Sequence, residues 1–165
     1  MSSVIFIFRR DFRLKDNVGL HECIHYALKH NCKIIPTFII DEKQVEKNDY
    51  FSNKSFQFLS ESIFDLNQQM KNKVFIYKGS NVFDFLKDYS IKAVFSNKDF
   101  TPYAKKRDDD LREECKKQQI ECFFFDDYTL IDMNKVVSGS NTFYKVFTPF
   151  FNKASSMSVQ KVKNF

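Results

Sequence analysis

Val4-Ile5-Phe6-Ile7-Phe8 has no polar side chain on either parity, so a strand built from it has no face that tolerates water. A strand of that kind belongs in the middle of a sheet covered on both sides. The same type of run returns at Ile34 to Ile40, Val74 to Tyr77, Ala93-Val94-Phe95 and Cys122 to Phe125. Segments with helical spacing separate the runs. Leu20, Cys23, Ile24, Ala27 and Leu28 follow Asp16-Asn17, a natural helix cap, and Phe56, Leu59, Ile63, Leu66 and Met70 mark a long amphipathic helix. Val82, Phe83, Phe85 and Leu86 outline a short helix, and Pro102 opens a charged one reaching about Gln118.

Five alternations of strand and helix predict an α/β domain with a doubly wound, Rossmann-like parallel sheet of five strands in the order 3-2-1-4-5, with helices on both faces. Such sheets bind ligands outside the carboxyl ends of the strands, where the order reverses. Here that crevice falls between the loops after Phe8 and Ser96. The stretch from Glu42 to Asn53 reads as a loop. Beyond Met133 the periodicity fades through Ser138-Gly139-Ser140-Asn141 to Ala154-Ser155-Ser156-Met157-Ser158, which places the domain at 1–151 and a basic, linker-like tail at 152–165.

Charge narrows the function. The net +5 comes from Lys135, Lys145, Lys153, Lys161 and Lys163, because no acidic residue follows Asp132 and the preceding residues balance. A phosphate-binding face is therefore not indicated by charge alone. Cys23, Cys32, Cys115 and Cys122 have no ligand-like spacing and are expected to pack as small apolar groups. The first apolar stretch is too short for a membrane span or a signal peptide, so an intracellular location, cytoplasmic or nuclear, is expected, with no membrane partner.

Two motifs look chemical in isolation. His21-Glu22-Cys23-Ile24-His25 is a literal H-E-x-x-H, but it lies on the first crossover helix and the only other histidine is His30, so no metal is assigned. Arg9, Arg10, Asp11, Arg13 and Asp16 crowd one strand-to-helix loop. A salt-bridge and capping network is the first reading there, and an anionic ligand held by Arg9, Arg10 or Arg13 is the second. A glycine-rich nucleotide fingerprint is absent, since the whole chain has only 3 Gly. Arg107-Asp108 stands out from an otherwise self-paired charged helix, as a packing pair.

Three segments carry a family resemblance: Phe8-Arg9-Arg10-Asp11-Phe12-Arg13-Leu14-Lys15-Asp16-Asn17 with Gly19-Leu20, Asn97-Lys98-Asp99-Phe100-Thr101-Pro102-Tyr103-Ala104 with Arg107-Asp108, and Tyr144-Lys145-Val146-Phe147-Thr148-Pro149-Phe150. Together they resemble the N-terminal α/β domain of DNA photolyases and cryptochromes. The resemblance implies a domain that holds a light-harvesting antenna chromophore for DNA photorepair. It also implies that the larger helical domain, which binds FAD and the pyrimidine dimer, lies outside this chain. The chain alone is then expected to be inactive as a deoxyribodipyrimidine photolyase, to partner a separately encoded FAD-binding domain, and to meet DNA only indirectly.

The family's antennas are methenyltetrahydrofolate, 8-hydroxy-5-deazaflavin and ordinary flavin. The folate-binding type uses an Asn-Glu pair where this chain has Tyr103-Ala104, so deazaflavin or flavin is the expected chromophore. Deazaflavin-type relatives carry acidic residues at positions matching Asp99 and Thr101, and only the first is acidic here. A planar polar ring needs an apolar slot with a few fixed hydrogen-bonding groups. Phe38, Ile39, Ile40, Phe51, Ser55, Leu59, Asp99 and Thr101 are the candidate residues, with Asp99 accepting from the ring. Two other classes stay open: a stand-alone nucleotide-binding α/β module, and a vestigial interaction domain without ligand.

Overall fold

The computed structural model of the chain describes residues 2–46, 48–79, 82–85 and 89–159. Leu86, Lys161 and Lys163, named above, lie outside the described residues. Five strands form one parallel sheet: β1 (Ser3–Phe8), β2 (Lys33–Ile40), β3 (Phe75–Lys78), β4 (Ile91–Asn97) and β5 (Glu121–Phe125), in the order β3-β2-β1-β4-β5. Val4 through Phe8 are each 0% exposed, as an apolar run at the centre of a covered sheet requires.

Alternation along β1 divides the core in two. Val4, Phe6 and Phe8 point to one face, where α1 (Val18–His30) and α3 (Asn53–Gln69) cover them with Leu20, Cys23, Ala27, Ile63 and Leu66. Ile5 and Ile7 point to the other, under Phe83 of α4 (Val82–Phe85) and under Leu111 and Cys115 of α5 (Pro102–Lys117). Phe6 and Phe8 meet edge to face at 4.8 Å. Burying one such ring contributes about 1.5–3 kcal/mol.

The expected architecture and strand order are both present. Differences lie in the connections. Glu42–Val45, read as loop, forms a single-turn helix, α2, because Asp41 caps it by accepting from the Lys43 N–H at 2.9 Å. The helix α6 (Phe147–Ser155) runs across residue 151 into the expected tail. Between β5 and α6 the chain makes a short 3-10 turn at Met133–Lys135 and a small antiparallel bridge, Val137 to Phe143, around the expected Ser138–Asn141 turn. Among the described residues no helix is long and apolar enough to cross a membrane.

Candidate functional site

The loop leaving β1 is fixed by a polar network buried among β1, β4, β5 and the start of α1. Asp11 accepts from the Arg9 backbone N–H at 2.7 Å, from Asn97 Nδ2 at 2.5 Å and from Asn17 Nδ2 at 3.2 Å. Asn17 is the helix cap, accepting from Leu20 N–H at 3.0 Å and from Asn97 Nδ2 at 2.8 Å. Asn97 accepts in turn from Gly19 N–H at 2.9 Å, an approach so close that a Cβ on Gly19 would collide with the Asn97 amide oxygen. Asp127, just past β5, takes the Val18 N–H at 2.9 Å and Arg13 at 2.6 Å. Every buried polar group named here has its partner, so the capping and salt-bridge reading of this loop holds for Asp11, Arg13 and Asn17.

Arg9, whose backbone N–H the network holds, also lines the crevice. A cavity of about 780 Å³ opens over the carboxyl ends of β1, β2 and β4 and along α5, the place where the strand order reverses. Its apolar floor is Phe8, Phe38, Ile39 and Leu59. Its polar lining includes Arg9, Asp41, Asp99, Tyr103 and Arg107. Of the residues expected at the site, Phe38, Ile39, Leu59, Asp99 and Thr101 are brought together here. Ile40 is not: it packs into the core beside Phe8 and Phe38. Phe51 leans on Phe56, with ring centroids 5.8 Å apart, and Ser55 is exposed on the first turn of α3, so neither lines the described cavity. Periodicity locates a helix start but not the path of the loop before it.

Asp99 is on the cavity wall with its oxygens engaged. Oδ1 accepts from Phe100 N–H at 2.7 Å and Thr101 N–H at 3.3 Å, while Oδ2 faces Arg10 at 3.4 Å. Thr101 spends its hydroxyl oxygen capping α5, accepting from Ala104 N–H at 3.2 Å.

The groups with unspent capacity are Arg9, which the sequence offers as a possible anion holder, and its neighbour Arg107, which the sequence offers only as half of a packing pair. Arg9 has a side chain only 10% exposed, its nearest carboxylate oxygen is Asp108 Oδ1 at 3.8 Å, and its buried Nε has no hydrogen-bond partner among the described residues. Asp108 is largely taken by Arg107, whose Nε donates to it at 2.9 Å. Arg107 Nη2 lies 2.8 Å from the same oxygen without making a hydrogen bond. Burial, with the charge of Arg107 next, lowers the Arg9 pKa to about 10. Two guanidiniums thus share one carboxylate, Asp108, at this part of the wall. Beside them on the wall, the Tyr103 hydroxyl donates to Asp41, and burial together with that bond pushes the phenol well above its ordinary range. Ala104, next to Tyr103, is fully buried.

On α1, His21 is half-buried with Glu22 3.4 Å away and His25 is exposed. No group of three or more His, Cys, Asp or Glu side chains fit to hold a metal occurs among the described residues.

The DNA photolyase family model matches residues 4–164. The chain belongs to the DNA photolyase family. A deoxyribodipyrimidine photo-lyase of Alkalihalophilus pseudofirmus is 30% identical over 151 residues, which is 87% of this chain and 31% of that protein. Cryptochrome-1 of Gallus gallus is 27% identical over 136 residues, 79% of this chain and 21% of the relative. Among solved structures, an archaeal photolyase of Sulfolobus tokodaii with two FAD molecules, taken to imply a novel light-harvesting cofactor, superposes with a TM-score of 0.80. It shares 30% identity and covers 98% of this chain and 36% of its own. A Synechocystis cryptochrome has the same fold, with a TM-score of 0.84 at 18% identity, covering 99% of this chain and 35% of its own. The chain spans about a third of the length of the photolyases it matches, and it is similar to their N-terminal α/β domain.

Proposed function

We propose that this domain holds a flavin-type antenna chromophore, flavin or 8-hydroxy-5-deazaflavin, for a DNA photorepair protein of the photolyase family. The observation that carries the reading is Arg9, a nearly buried guanidinium on the wall of an apolar-floored cavity, whose Nε has no hydrogen-bond partner among the described residues. An unsatisfied buried donor costs the folded state about 1–3 kcal/mol, and a ligand acceptor placed there recovers it. The rim of a flavin or deazaflavin ring offers carbonyl and ring-nitrogen acceptors in one plane, and Phe8, Phe38, Ile39 and Leu59 supply the apolar surface for its faces. A volume of about 780 Å³ is large enough for a three-ring system. The chromophore would supply near-ultraviolet or blue absorption. Arg9 and Arg107 would orient its acceptor edge, and Tyr103 with Asp41 would bound the cavity beside them. The two FAD molecules of the Sulfolobus tokodaii photolyase support the flavin assignment.

Repair itself would need a FAD-binding unit, either continuous with this chain or supplied by another. Support for such a neighbour comes from α6, which has no buried residue and stacks Phe147, 72% exposed, on Phe151, 53% exposed. Contact with DNA would be made through that unit, because the charge of residues 1–132 balances.

The test is a fluorescence titration of the chain with FMN, FAD and 8-hydroxy-5-deazaflavin, with ATP as control. Saturable binding of a flavin or deazaflavin that weakens in Arg9→Met is expected. Binding of ATP but of none of the three would transfer the cavity to the nucleotide-module reading.

A further inference from the structure

The cavity is longer than the rings proposed for it. From its floor at Phe8 and Phe38, near the carboxyl ends of β1 and β2, it continues along α5 as far as Lys117, the last residue of that helix. Tyr103, Lys106, Asp110, Glu113 and Lys117 recur at intervals of three and four residues, so one face of α5 forms the wall over its whole length. Between Tyr103 and Lys117 that face extends about 21 Å, at roughly 1.5 Å per residue. Three fused rings on the floor cover only its first part.

The chemistry changes along that face. At the inner end the side chain of Arg9, only 10% exposed, keeps its Nε without a hydrogen-bond partner among the described residues, so the cavity that carries this face also holds an unmet buried donor. Cations come next, Lys106 on α5 and Lys43 on α2. Carboxylates follow, Asp110 and Glu113, with the partly buried Leu111 between them in sequence. Lys106 faces Asp110 at 3.4 Å and Lys117 faces Glu114 at 3.5 Å. Exposed pairs of this kind contribute little and exchange readily for a ligand.

We propose, on the basis of the flavin reading above, that the cavity takes a flavin in its dinucleotide form and that the outer face of α5 is the seat of the nucleotide tail. Lys43 and Lys106 donate to the diphosphate oxygens. Asp110 and Glu113 accept from the hydroxyls of the adenosine ribose, as an acidic side chain does for a nucleotide ribose in other doubly wound sheets. Leu111 offers apolar surface to the adenine. A carboxylate repels a terminal phosphate but accepts from a sugar hydroxyl. The order along α5, cation and then carboxylates, therefore fits a phosphate followed by a sugar, and disfavours a tail that ends in phosphate or in a carboxylate.

The test is a calorimetric titration of the whole chain with riboflavin, FMN, FAD and ADP-ribose, the last carrying the diphosphate and sugars without the rings. FAD is expected to bind at least about tenfold more tightly than FMN. In the double variant Asp110→Asn with Glu113→Gln that advantage is expected to fall below about threefold. Both positions are exposed on the helix, so the variant keeps the fold. ADP-ribose is expected to compete with FAD but not with riboflavin. Equal affinities for FMN and FAD in the wild-type chain, or an advantage of FAD that survives the double variant, would overturn the proposal and leave the flavin reading standing. Failure of all three flavins to bind would overturn the flavin reading, and the dinucleotide assignment with it.

Discussion

Two buried polar clusters flank the loop after β1, and they differ in one respect. On the side of β5 and α1, Asp11, Asn17, Asn97, Gly19 and Asp127 exchange hydrogen bonds until each buried polar group has a partner. On the crevice side, Arg9 and Arg107 share Asp108, and Arg9 Nε has no hydrogen-bond partner among the described residues. A satisfied network rigidifies, whereas an unsatisfied one costs stability unless something else completes it. The first cluster is therefore the scaffold and the second the receptor. One five-residue segment, Arg9 to Arg13, belongs to both.

The contrast can be broken most severely at Asp11. Asp11→Ala deprives three donors of their acceptor, and a loss of about 4 kcal/mol is expected in urea unfolding. A loss below about 1 kcal/mol would mean that the cluster is not the scaffold. Gly19→Ala forces a methyl group against the Asn97 amide and should cost about 2–3 kcal/mol by the same measurement.

Arg9→Met inverts the pattern. Replacing an under-paired buried charge with an apolar side chain of similar length should leave stability within about 1 kcal/mol, while flavin affinity falls about 10- to 100-fold. Equal losses of stability and affinity would erase the distinction between the clusters. Asp99→Ala should change flavin affinity by less than about threefold and stability by about 1 kcal/mol, because its oxygens already serve Phe100, Thr101 and Arg10.

The smallest effect is spectroscopic. Tyr103 has a raised native pKa, so its contribution is complete below the ordinary tyrosine value of 10.0 and is lost as the pH climbs through the higher native one. Tyr26, raised to about 12 by burial and its bond to Glu121, also ionises late. An ultraviolet titration of the chain should show two late phenols, and Tyr103→Phe should leave one.

The sheet was legible because its strands are covered on both faces, and continuous apolar runs such as Val4–Phe8 have few other uses. The cap at Asn17 and the position of the crevice followed from local side-chain chemistry and from strand order. Ile40 shares a face with Phe38 but packs against the core and does not line the described cavity. Arg107-Asp108 stood out of its run of charges only as a packing pair, and it is the fold that buries Asp108 to 4% exposure and sets Arg107 on the cavity wall. The Tyr103–Asp41 contact joins residues 62 apart in sequence, and no local pattern encodes such a pairing.

The anchoring of Arg13 by Asp127 has a consequence for synthesis. Arg13 and Asp127 are separated by 114 positions, and Val18 and Asp127 by 109. A chain emerging from the ribosome N-terminus first exposes the β1 loop long before β5 and the residue that follows it exist. Until then the loop holding Arg9 lacks its outer tie, and the first helix lacks the carboxylate at its N-terminus. The receptor wall, although encoded near the start of the chain, is thus among the last parts of the domain to acquire its native contacts.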